Sequence, residues 1–139
     1  DEAGLCGFTD PDNRRTYPWG HEDQEMIRFH KDIIRLRREN DELRNGSLKY
    51  MEGDYNYLAY ARFHEEGQCV ILINNNDYPM DREVFVWEAG IPKRGNVRIL
   101  FQTFAGGYQI GGQEYEIVSG KIFIQLPATS ATIIKYIKP

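Results

Sequence analysis

Cysteine is scarce in this chain: Cys6 and Cys69 are the only two, and they sit at unrelated spacing in regions of different character. A disulfide framework is therefore unsupported, and two buried free thiols are expected. Histidine is nearly as sparse. His21, His30 and His64 show no metal-ligand spacing and have no cysteine beside them, so no metal site and no cofactor are expected. No apolar run approaches the roughly 20 residues that a membrane-spanning helix needs, so a membrane is not an expected partner. Positive charge is not in excess either. The net charge is −4, no basic stripe offsets the acids, and nucleic acid is not expected to bind. The Gly-rich stretch from Gly106 to Gly112 lacks a following helix and a Lys-Ser/Thr pair. It reads as a hairpin or loop, not as a phosphate cradle.

Aromatic side chains and turn chemistry are what the sequence does have. Nine Tyr, seven Phe and two Trp in 139 residues exclude a disordered chain. The length suits one domain, or one domain plus an appendage. Residues 1 to 20 are broken by Gly4, Gly7, Pro11, Pro18 and Gly20 and read as a loop. Asp23 then stands where it can cap a helix with Met26, Ile27, Phe29, Ile33, Ile34 and Leu36 on one apolar face. Lys31, Arg35, Arg37 and Arg38 alternate with Asp32, Glu39 and Asp41, the pattern of a solvated face. Asn45-Gly46 supplies a left-handed stop.

From Ser47 onward the period is two. Strands are expected at 47–51, 57–64, 69–75, 82–87, 97–101, 114–118, 121–126 and 131–137, with turn residues between them. Short strands with no intervening helix argue a mainly β fold, a Greek-key β-sandwich. Alternation of Val84 and Val86 against Phe85 and Trp87 puts Trp87 in the core, and Trp19 is expected to plug the loop against the helix. Tyr55 and Tyr57 are expected to cover a sheet edge. The oxygen-rich Asn74-Asn75-Asn76-Asp77 lacks the order of a calcium loop and reads as a polar turn. Ser130 and Thr132 have no His-Asp partners near them in sequence.

The densest chemistry lies in Asp10-Pro11-Asp12-Asn13-Arg14-Arg15-Thr16-Tyr17-Pro18-Trp19. Carboxylates and guanidinium groups bind sugar hydroxyls through charge-assisted hydrogen bonds, and aromatic rings cover the apolar faces of pyranoses. This run, with Asp1-Glu2-Ala3-Gly4-Leu5 before it and Leu43-Arg44-Asn45-Gly46-Ser47 after it, resembles the end of the catalytic barrel of α-amylase family glycosidases (glycoside hydrolase family 13). The nearest likeness is to the neopullulanase, cyclomaltodextrinase and maltogenic amylase branch. The motifs cover about the first 65 residues in order.

The resemblance implies that residues 1–46 are the last loop and helix of a (β/α)8 barrel and that 47–139 form the C-terminal β-sandwich. It implies a parent that hydrolyses α-1,4 or α-1,6 glucosidic bonds with retention. Asp10 and Arg14 match the family's sugar-clamping pair. The family's catalytic carboxylates lie in motifs N-terminal to this segment, so no catalytic residue is expected here. Asp1 and Glu2 are adjacent, and neighbours on a strand point to opposite faces, so they do not make a retaining pair. The chain, which starts inside a family motif without an initiator Met, is expected to be a fragment that is inactive alone. Its expected partners are maltooligosaccharides or α-glucans, the missing barrel, and a second copy meeting the exposed helix face. A cytoplasmic parent is favoured. The alternatives are a self-contained carbohydrate-binding β-sandwich, which would use Tyr55, Tyr57 and Trp87, or a structural domain with no ligand.

Overall fold

The computed structural model describes residues 2–138, and the chain divides into two compact units between Glu39 and Asn40. The division expected from sequence lies between 46 and 47. In the first unit, α1 (Gln24–Glu39) begins as its sequence requires. Asp23 Oδ1 accepts from the backbone N–H groups of Glu25 (3.0 Å) and Met26 (2.9 Å), two of the donors that a helix start leaves unpaired. Glu25 in the first turn and Arg37 and Arg38 in the last complement the helix dipole. Leu36 is buried; Ile27, Phe29 and Ile33 are half-buried; Met26 and Ile34 remain 39% and 49% exposed.

The second unit opens with a one-turn helix, α2 (Asp41–Arg44), after an extended Asn40. The expected left-handed stop does not form. Asn45 keeps a negative φ of −113°, and its N–H reaches Asp41 O. Gly46 is needed for a different reason: a Cβ there would stand 2.3 Å from Glu42 O and 3.0 Å from Phe63 N. Close approach of two backbones, not a positive φ, selects the glycine.

Nine strands follow: β1 (Ser47–Gly53), β2 (Tyr57–His64), β3 (Gly67–Asn74), β4 (Met80–Val84), β5 (Arg94–Phe104), β6 (Gly107–Ile110), β7 (Glu114–Val118), β8 (Ile122–Leu126) and β9 (Ser130–Ile137). They make a seven-stranded sheet in the order β1-β2-β3-β9-β5-β6, with β7 beside β6 on the same edge of β5, and a two-stranded sheet β4-β8. Every pairing is antiparallel. The last strand therefore inserts between β3 and β5, far from its neighbours in sequence. The expected β-sandwich is present, with layers of unequal size.

Its core is the alternate set of side chains from both sheets, among them Ala59, Val70, Leu72, Val97 and Ile134 from the large sheet and Val84, Ile122, Ile124 and Leu126 from the small one. Each such Val, Leu or Ile contributes about 1.5–3 kcal/mol by leaving water. β5 is longer than its sequence pattern suggests, because a bulge between Ile99 and Phe101 interrupts the alternation. β4 is shorter. After Val84 the chain turns into a short 3-10 helix, Val86–Ala89, that buries Val86 and Ala89 at a spacing of three and ends at Gly90 with φ +77°. That change of period moves Trp87 out of the core, to 48% exposure, against the sequence expectation. The Gly107 segment is a hairpin, β6 folding back on β5.

Candidate functional site

The loop before α1 is closed at its base, where Asp23 N–H donates to Ala3 O at 3.0 Å. Two glycines let its strands approach. A Cβ at Gly4, whose φ is +71°, would lie 2.8 Å from Asp23 Cβ, and one at Gly7 would lie 2.7 Å from Asn13 Cα. A cis Asp10–Pro11 peptide leads into a single 3-10 turn at Asp12–Arg14.

Asp12 braces this turn. Its Oδ2 accepts from Phe8 N–H at 2.8 Å, and its Oδ1 accepts from Arg15 Nε at 3.0 Å and Nη2 at 2.6 Å. The Phe8 N–H first, and the Arg15 guanidinium second, hold the Asp12 carboxyl below the ordinary carboxylate range. With that brace in place, Asp10 and Arg14 are left to face solvent. Arg14 Nε and Asp10 Oδ1 pair at 2.5 Å, with their side chains 75% and 59% exposed. An ion pair so exposed adds about 0–1 kcal/mol to stability. Stiffening the loop is thus the work of Asp12 and Arg15, a pair the sequence reading passed over although their i, i+3 spacing on a turn was visible.

Three aromatic residues share the loop. Phe8 and Trp19 are 84% and 79% exposed. Tyr17 and Trp19 meet at 4.6 Å between ring centroids, tilted by 55°. Trp19 is therefore no plug: its neighbour is the ring of Tyr17, and most of its surface is open. A carboxylate that accepts from hydroxyls, a guanidinium that donates, and open aromatic faces are the parts needed to hold a sugar ring.

The other candidates resolve differently. Glu2 is exposed in a turn, and Asp1 lies outside the described residues. Cys6 is exposed, not buried as expected; the loop turns it outward, with Sγ near Gly4 O at 3.5 Å. Cys69 is buried, and burial foremost, aided by the nearby Glu42 carboxylate, pushes its thiol well above the ordinary value. Asn74 is a structural hub. Its Nδ2 donates to Tyr78 O (3.0 Å) and Pro127 O (2.8 Å), and its Oδ1 accepts from Asn76 N (3.0 Å) and Asn76 Nδ2 (2.9 Å). Ser130 Oγ donates to Pro127 O at 2.7 Å, and Thr132 Oγ1 accepts from Gln102 Nε2 at 3.0 Å. Among the described residues no group of three or more His, Cys, Asp or Glu is placed to hold a metal ion.

Tyr57 is buried rather than lining an exposed edge. Its hydroxyl donates to Glu52 Oε1 at 3.0 Å, and the Arg82 guanidinium lies 4.2 Å from its ring centroid. Tyr55 is 98% exposed. Only Tyr55 and Trp87, of the three aromatics that a carbohydrate-binding sandwich would have used, are therefore available to a ligand.

Comparison with known proteins gives these features a context. No family model matches the chain. Amylopullulanase of Thermoanaerobacter thermohydrosulfuricus is 29% identical over 137 residues, which cover 96% of this chain and 9% of that protein. Cyclomaltodextrinase of Thermoanaerobacter pseudethanolicus is 35% identical over 78 residues, 55% of this chain and 14% of that protein. The fold superposes on the crystal structure of an α-amylase from Geobacillus thermoleovorans complexed with acarbose, with a TM-score of 0.80 and 23% identity, over 99% of this chain and 28% of that one. The chain thus spans about a tenth of the length of the first of these relatives. In sequence and fold it corresponds to a C-terminal segment of α-amylase family enzymes of the amylopullulanase, cyclomaltodextrinase and neopullulanase kind.

Proposed function

We propose that this chain is the C-terminal accessory portion of an α-glucan-degrading glycoside hydrolase, and that its loop supplies part of the parent's sugar-binding site. The observation that carries the reading is the exposed Asp10–Arg14 pair on a loop braced independently by Asp12. A pair that does little for stability, built on a loop that does not need it, is available for a ligand.

In this reading the Asp10 carboxylate accepts hydrogen bonds from two neighbouring hydroxyls of a glucose unit, while the Arg14 guanidinium orients it and donates to another oxygen. Loop and α1 complete a (β/α)8 barrel whose own carboxylates perform retaining hydrolysis of α-1,4 or α-1,6 bonds. The exposed Met26 and Ile34 are then covered by the barrel, or by a second copy when the barrel is missing. The sandwich is the accessory domain.

The test is incubation of the 139-residue chain with maltotriose, β-cyclodextrin and pullulan, with reducing ends measured. The chain alone is expected to release none. Release of maltose or glucose at a rate lost with the chain's own variants contradicts the assignment.

A further inference from the structure

The outer face of the small sheet carries a feature that the loop does not explain. On β8, Ile122, Ile124 and Leu126 point into the core, so Phe123 and Gln125 point out, and Phe123 is 69% exposed. The register sets Glu83 of β4 directly across from Phe123, and Asp81 across from Gln125. These polar groups are already oriented. Gln125 Nε2 donates to Asp81 Oδ1 at 3.0 Å, and Lys121 Nζ meets Glu83 Oε1 at 2.6 Å. An open depression runs over Asp81, Arg82, Glu83, Phe123, Ile124 and Gln125.

Aromatics continue along the same side. The Lys121 ammonium lies 4.8 Å from the Phe85 ring centroid. Trp87, half-exposed, is seated on Gly120, where a Cβ would come within 2.9 Å of Trp87 Cδ1. Gly120 therefore fixes where the indole lies.

We propose that this face is a second carbohydrate-binding site, on the sandwich itself, that takes a linear α-glucan. An exposed ring flanked by carboxylates and an amide matches a ligand with apolar C–H faces and a rim of hydroxyls. The paired charges beside Phe123 disfavour a protein partner, because charged side chains are depleted from interface cores. An open depression suits a chain passing over it and not a compact ligand enclosed in a pocket. The glucan identity rests on the proposed function above; the site itself rests on the sheet geometry.

The experiment is calorimetric titration of the full 139-residue chain with maltoheptaose and, separately, cellohexaose, using wild type, Phe123→Ala and the double variant Asp10→Ala/Arg14→Ala. Phe123 is exposed, so its substitution is expected to leave the thermal melt unchanged, which circular dichroism checks. Maltoheptaose is expected to bind wild type, and Phe123→Ala at least about tenfold more weakly, equivalent to about 1.4 kcal/mol; the double variant, which removes the loop pair, is expected to keep the binding that depends on Phe123. No binding of maltoheptaose, or equal binding by Phe123→Ala, overturns the site. Loss confined to the double variant leaves the loop assignment standing and overturns this one. Cellohexaose bound through Phe123 in place of maltoheptaose overturns the α-glucan identity.

Discussion

Lys135, on the last strand, reaches Glu42, on the one-turn helix that opens the β-unit: Nζ and Oε1 are 2.6 Å apart, and the Glu42 side chain is 3% exposed. The same ammonium donates to Asn40 Oδ1 at 2.8 Å, and Cys69 Sγ donates to Glu42 Oε1 at 3.3 Å. Two segments more than ninety residues apart are thereby tied across the sheet. Gly67 belongs to the same arrangement, since a Cβ there would stand 2.5 Å from Glu42 Oε2.

Removing one partner leaves the other charge without compensation. Lys135→Met is expected to cost about 3 kcal/mol, at the low end for a buried pair because Lys135 remains partly hydrated. Urea denaturation of the chain, compared by midpoint at constant slope, measures it.

Acid should expose the same tie. Burial by itself raises the Glu42 carboxyl, but hydrogen bonds from Lys135, the Glu42 backbone N–H and Cys69, with the Lys135 charge, outweigh it and the net shift is downward. A carboxylate depressed in the folded state stabilises the fold above its unfolded value, near 4.5, and that contribution disappears as pH falls through the lower folded value. The thermal midpoint is expected to drop below pH 4.5, and in Lys135→Met to drop less over the same window.

Asn74→Ala removes both amide donors and the shared acceptor from a turn anchored by two buried asparagines, taking one donor from Tyr78 O and from Pro127 O, which keeps Ser130 Oγ, and the acceptor from Asn76. A loss of about 2–4 kcal/mol is expected, since each buried group left unmatched costs about 1–3 kcal/mol. Asn75→Ala, next in sequence and exposed, is the control and is expected to move the midpoint by less than about 0.5 kcal/mol.

The two thiols should separate cleanly. Cys6 is exposed and is expected to react with a disulfide reagent within the mixing time at pH 8, whereas Cys69, buried and raised in pKa, reacts only as the sandwich opens. One fast equivalent in native buffer and two in denaturant is the expected count.

Much of this architecture was legible because it rests on short-range signals. Asp23 before an apolar stripe announced α1, and the alternation Ile122, Ile124, Leu126 announced β8. The same alternation held the exposure of Phe123, since every second residue must face outward. What failed to read was non-local. Nothing near Ser130–Ile137 says that this strand enters between β3 and β5, and nothing near Glu42 names Lys135. Trp87 was misread because a run of valines and aromatics fits a period of two until the chain switches to a 3-10 turn. Cys6 and Trp19 were assigned to the interior from residue type alone, in a loop too short to bury them. Asp10 and Arg14 were picked out by their likeness to a known motif; their division of labour with Asp12 and Arg15 needed coordinates.

The most direct measurement is steady-state kinetics of the proposed parent glycoside hydrolase carrying this chain, with Asp10→Ala and Arg14→Ala compared on maltotriose. A charge-assisted hydrogen bond contributes about 1.5–3 kcal/mol, so each substitution is expected to lower kcat/KM by about 10- to 100-fold while the thermal midpoint stays within about 1 °C. Unchanged kcat/KM in both variants contradicts the assignment of this loop to sugar binding.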